Sequence, residues 1–229
     1  MRSTDPNIFG DTLNKYIAEY EQYSWHLTRY GVHLRWWIAR YTRGDSLTDL
    51  RDAFGVVTDK VAASARAARV EYGQDHFLFG YQPTDLGMFR DALVLLSIAV
   101  CLGVRPEQAR QIVDSCQRGD ALIEKLVEAA TPEVVAPVTT RAFPEEFDGL
   151  YAALDATTAA QRSSVIVAYL KVWLDSRMRE FGFKISQEKI GYWCFEAAGI
   201  VAALEIDDTS LAGDAHYPRD LVAFHRGAK

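Results

Sequence analysis

The groups from which a reaction could be built gather near the C-terminal end of the 229-residue chain. Glu196 is the one charge in IGYWCFEAAGIVAAL (190–204), and Asp207, Asp208, His216 and Asp220 follow it. A carboxylate in apolar surroundings is shifted toward its protonated form and can serve as a general acid. Beside His216 or Asp220, Glu196 would make the acid–base pair of a helical enzyme. With Asp208 and His216 it would offer three ligands to a metal, if a bend after the helix returned them to one point. A carboxylate taken out of water must otherwise be paired, so the bland reading of Glu196 is a structural bolt. The residues alone leave these readings open.

Other chemistry has less support. The chain carries no GxSxG, HExxH, CxxC, GxxxxGK[ST] or GxGxxG pattern. His26, His33, His76 and His225 are scattered, and the first two sit among aromatics, as core or surface histidines do. Cys101, Cys116 and Cys194 are odd in number, widely spaced and set in apolar or helical contexts, which reads as reduced packing thiols. No metal and no cofactor is expected.

The elements that must position these residues are helical. Apolar residues recur every third or fourth position from Leu13 to Tyr41, which predicts one long helix ending at Gly44. Ser46 with Asp49 makes a capping-box-like start for a second helix, to be packed antiparallel on the first. Thr84 or Asp85 opens a third, whose run from Ala92 to Leu102 is apolar enough for the centre of a core. Pro106 begins a fourth over 106–119, and 120–130 forms a fifth. TPEVVAPVTTRAFP (131–144) holds three prolines and predicts a linker, with a boundary near residue 135. Further helices are expected over 145–156 and 159–182, then the one containing Glu196, then a last turn opened by Pro218. The expected fold is all-α, about eight to nine helices in two closely packed subdomains, 1–130 and 131–229. Trp25, Trp36, Trp37, Trp173 and Trp193 all fall on predicted helices, where an aromatic stripe is usually core.

Charge narrows the partners. The chain has 31 acidic and 25 basic residues, a net −6, and residues 131–229 hold 14 of the acids against 10 bases. That balance argues against a nucleic-acid binder and permits a basic protein partner. No apolar run is long enough to span a bilayer, and the N-terminal residues lack a signal-peptide pattern, so a cytoplasmic protein with no membrane contact is expected.

Three C-terminal stretches carry a resemblance: GYWCFEAA (191–198), IDDTSL (206–211) and HYPRDLV (216–222). Together they resemble the C-terminal signature of the PoNi family, immunity proteins against polymorphic nuclease toxins, with departures at Cys194 and His216. IARYTRGDSLTDLRDAF (38–54) and LVLLSIAVCLG (93–103) resemble the N-terminal PoNi region. The resemblance implies a non-enzyme that captures a cognate DNase toxin stoichiometrically, often one delivered by type VI secretion. It also turns Trp193, Glu196, Asp207, Asp208, Tyr217, Pro218 and Asp220 into a structural motif. Glu196 is then expected to accept hydrogen bonds from Tyr217 or from backbone N–H groups of 216–221. A nuclease holds a polyanion and presents a basic cleft, so the candidate toxin contacts are Glu145, Glu146 and Asp148, and Glu205, Asp207, Asp208 and Asp214. A helical adaptor or oligomerisation module is the remaining alternative, and self-association as a homodimer stays open.

Overall fold

In the computed structural model, residues 30–80, 82, 85–181 and 192–227 are described. Several helix limits follow local capping chemistry. Helix α1 (Tyr30–Arg43) is the described part of the long helix expected from Leu13. Its earlier turns, Trp25, His26 and the proposed cap Thr84 lie outside the described residues. Ser46 accepts a hydrogen bond from the Asp49 N–H at 3.1 Å and opens α2 (Leu47–Tyr72), which Gly73 ends at φ 111°. The apolar α3 (Leu86–Leu102) stops at Gly103, whose left-handed φ of 56° lets its N–H turn back to the Ala99 and Val100 carbonyls. Pro106 is the first residue of α4 (Pro106–Val113), and α5 (Ala121–Ala130), α6 (Asp148–Asp155) and α7 (Ala159–Phe181) follow. The chain closes with α8 (Phe195–Ala203), a 3-10 turn (Thr209–Leu211) and α9 (Arg219–Gly227).

Two helices are shorter than their sequence periodicity suggests, each because its backbone finds another partner. Helix α4 ends at Val113, not 119: the Phe79 N–H donates to the Ser115 carbonyl at 3.0 Å and the Gln117 N–H to the Phe79 carbonyl at 2.8 Å. Helix α8 starts at Phe195, and Trp193 is not helical, because the Cys194 N–H donates to the His216 carbonyl at 2.9 Å.

Helix α3 is the hub. Helices α4, α5, α8 and α9 all pack on it, α1 pairs with α2, and α6 pairs with α7. One hydrophobic cluster runs from Tyr30 to Val222, so apolar packing is continuous across residues 131–144. The fully buried Asp120 fixes that crossing segment. Its Oδ1 caps α5 by accepting the Leu122 and Ile123 N–H groups at 2.8 and 3.3 Å, and its Oδ2 accepts the Ala142 N–H at 2.8 Å and the Tyr151 hydroxyl at 2.7 Å. Where α8 crosses α3 the backbones nearly touch: a Cβ placed on Gly199 would lie 2.6 Å from the Ser97 Cα.

Gly199→Ala is therefore expected to lower stability by about 1–3 kcal/mol in urea unfolding, since the contact is with backbone that cannot swing away. Ser97→Gly should recover part of that loss. Asp120→Ala, which strands four donors at once, is expected to cost on the order of 3 kcal/mol, read by the same melts.

Candidate functional site

Helix α8 delivers Glu196 into the core at 1% exposure. Its donors come from α7, where Tyr169 and Trp173 stand one turn apart on the face turned inward. The Trp173 indole donates to Oε1 at 2.8 Å and the Tyr169 hydroxyl reaches the same oxygen at 3.5 Å. The buried Cys194 lies two residues before Glu196, and burial, then the Glu196 charge, pushes its thiol well up. Arg90 of α3, itself buried, adds a positive charge nearby and donates to Glu146 Oε1 at 2.7 Å. Burial pushes the Glu196 carboxyl above the usual carboxylate range, against its own backbone N–H, Trp173, Arg90 and Tyr169, which all favour the ionised form. Burial, then the Glu196 charge, raises the Tyr169 hydroxyl in turn.

The partner expected for Glu196 is therefore corrected. Tyr217 donates not to Glu196 but to Asp208 Oδ2, at 3.1 Å. The tail does return to the N-terminal end of α8, held there by the Cys194–His216 backbone bond and by His216 Nδ1, 3.0 Å from the Tyr192 carbonyl. Asp220 accepts the Tyr41 hydroxyl of α1, and Trp193 donates to Thr42 Oγ1 at 3.0 Å with its ring edge-on to Tyr41. Tyr41 also stacks on the buried Trp37, and Phe195 lies edge-on to both. Pro218 is buried just ahead of α9. The sequence reading missed the receiving half of this seam: Tyr41, Thr42, Tyr169, Trp173 and Arg226. An aromatic pair at i, i+4 was the only signal for the α7 donors.

The expected acids divide into internal and surface groups. Asp208 is 5% exposed, bound to Arg226 Nη1 at 2.5 Å, while Arg226 Nη2 donates to the Ile206 carbonyl at 2.6 Å. It is an internal anchor and not a surface contact. Asp207 is exposed and its Oδ1 accepts the Thr209 N–H and hydroxyl at 3.0 and 2.6 Å, which pulls its carboxyl below the usual range. Asp214, half-buried, accepts the His216 N–H at 2.8 Å. Glu205 is exposed and adopts a left-handed φ of 53°, where glycine or asparagine is favoured. Glu145 and Asp148 are exposed and Glu146 is half-buried; all three border a groove of about 500 Å³ between α6 and α7. Glu196, Asp208 and His216 do not converge: among the described residues no three His, Cys, Asp or Glu side chains are grouped to hold a metal. The three cysteines are buried and free.

Residues 118–221, a little under half of the chain, match the family of PoNe immunity proteins (PoNi), C-terminal. Over those residues the chain is similar to the PoNi C-terminal region. Its matched segment spans Asp120, the groove acids, α7, Glu196, Asp208 and Tyr217, whereas the stretches 38–54 and 93–103 lie before it. No curated protein matches the sequence. Among solved structures, the crystal structure of protein PA2201 from Pseudomonas aeruginosa superposes with a TM-score of 0.65 at 23% identity, over 87% of this chain and 73% of that one. That likeness shows a shared fold.

The Glu196 geometry sets a pH dependence. Between the ordinary carboxyl value of 4.5 and the higher folded value, the folded protein keeps a proton that the unfolded chain has released. Stability from this group is thus fully present below about 4.5 and is lost as pH rises through the folded value. Glu196→Gln keeps an acceptor for Trp173 and does not titrate. In urea melts from pH 4 to 8, the stability of the parent relative to this variant is expected to fall as pH rises. A difference that stays flat would contradict the buried, protonation-favouring site.

Proposed function

We propose that this chain is an immunity protein that binds a bacterial nuclease toxin, a DNase of a polymorphic toxin system delivered by type VI secretion, and silences it one-to-one in the cytoplasm. The observation that carries this reading is the match of residues 118–221 to the PoNi C-terminal region. The condition of Glu196 supports it. A general acid needs access to its substrate, and this carboxyl is closed off by α7 and spoken for by Trp173. Asp220 and His216, its would-be catalytic partners, are engaged with Tyr41 and with the Tyr192 carbonyl. None of the described helices is long and apolar enough to cross a membrane.

Charge supplies the means of capture. A nuclease cleft shaped for phosphates is basic, and a partner at net −6 gains association rate and orientation from the opposing field. The contacts fall on the outer acids: Glu145 and Asp148 with Glu146 behind them, and the exposed Glu205 and Asp207 with the half-buried Asp214 on the turn between α8 and α9. The left-handed Glu205 fits a functional role, because a glycine there would relieve about 1 kcal/mol and the carboxylate stands instead. Regions 1–130 and 131–229 then act as one body, the first supplying α3 as the hub and the second carrying both acidic clusters.

Co-expression in a bacterial host of this protein with the nuclease encoded beside its gene tests the reading. Growth is expected to recover, and titration calorimetry of the purified pair is expected to give a stoichiometry of one. Continued killing, with no heat of binding, would refute it.

A further inference from the structure

The groove between α6 and α7 has features that a merely acidic surface lacks. Its α7 wall is an open apolar stripe, with Ala168 exposed and Val172 at 57% exposure. Its α6 wall is made of small residues, Gly149 and Ala152. Gly149 has no room for a side chain, since a Cβ there would meet the Tyr169 Cβ at 2.7 Å. The space, about 500 Å³, is of the size that accepts a few side chains or a small ligand. Two carboxylates edge it: Glu145 and Asp148 are exposed and make no ion pair with any of the described residues.

The floor is fixed in advance. Tyr169 and Trp173 line the groove, and their polar atoms are turned inward onto Glu196. Side chains locked from behind in this way need not reorganise when something settles on them, which lowers the cost of binding.

We propose that this groove docks an amphipathic segment of the toxin, in which an apolar side chain rests between Ala152, Ala168 and Val172 and a neighbouring lysine or arginine meets Glu145 and Asp148. The proposal rests on the immunity reading and names the place and chemistry of its contact. An apolar floor with unpaired carboxylates at the edge selects a segment that is both greasy and basic. A nuclease that grips phosphates is basic at its cleft, which supplies the cationic half of such a segment. Small residues on both walls let a helix or an extended loop approach closely, as in helix-in-groove recognition.

The test uses the full chain and an active-site-inactivated form of the nuclease encoded beside its gene, with affinity and association rate measured over a range of salt. Ala168→Trp fills the groove from an exposed position and is expected to weaken binding by about 100-fold at an unchanged melting temperature. The double variant Glu145→Lys/Asp148→Lys is expected to slow association about 10-fold at low salt and to flatten its salt dependence. This second variant keeps the test intact if the tryptophan disturbs folding. If the parent chain binds and both variants bind equally well, the groove is not the docking place and the immunity reading stands. If the parent chain itself shows no binding, the immunity reading fails and the groove assignment fails with it.

Discussion

A carboxyl group with 1% exposure must be held by donors that the protein itself supplies, and this requirement fixes how α7 lies on α8. Trp173 and Tyr169 are one turn apart, so both can reach Glu196 only if that face of α7 is turned to the core. Turning it so leaves Val172 and Ala168 on the opposite side of the same seam, looking outward beside α6. The buried bolt and the open groove are thus two faces of one helix orientation. The same orientation depends on α8 being pressed against α3, and that approach is permitted because residue 199 has no side chain.

Acidic residues in this chain meet two fates, decided by whether a donor is within reach. Asp120, Asp208 and Glu196 are buried; Asp120 and Asp208 are each held by donors from different parts of the fold, and Glu196 by Trp173 and Tyr169 of α7. Glu124 follows the same rule: burial would raise its carboxyl, but Arg118 and the Gly119 N–H outweigh that and hold it below the usual range. Glu145 and Asp148 meet no such donors among the described residues and are exposed. The internal acids each tie together segments distant in sequence: Asp120 joins α5 to the 131–144 crossing and α6, and Asp208 joins α9 to the turn after α8. They contribute specificity of arrangement, whereas the outer acids contribute field.

Helices were legible wherever a local rule sets their limits. Ser46 and Pro106 act within a few residues of themselves, and the helix starts they mark fall where the sequence places them. Legibility failed where the competing partner is remote. Nothing local to residues 190–194 says that the His216 carbonyl will take the Cys194 N–H, and nothing near 114–119 says that Phe79 will pair with that segment. The site shows the same division. That Glu196 needs a partner follows from its neighbours alone, but the choice of Trp173 over Tyr217 depends on helix packing. Asp207 and Asp208 are adjacent and chemically alike, yet one is exposed and the other buried, because only Asp208 faces Tyr217 and Arg226. Adjacent positions in a turn point to different sides, and the sequence carries no mark of which side is inward.

Arg90 links the bolt to the groove and thereby limits which acids can serve as free contacts. Its side chain is 8% exposed, it donates to Glu146 at the groove edge, and its charge favours the ionised form of Glu196. Glu146 is therefore bound to the scaffold: removing it takes a carboxylate from a buried guanidinium, whose loss of a partner is felt as instability and not only as a weaker surface field. Glu145 and Asp148 carry no such obligation, since neither neutralises an interior charge. A surface that must match a particular partner can vary at these two positions without disturbing the core, while Glu146, Arg90 and Glu196 must be kept or changed together. Within one short acidic run, the middle residue holds the fold and its neighbours stand clear of the core.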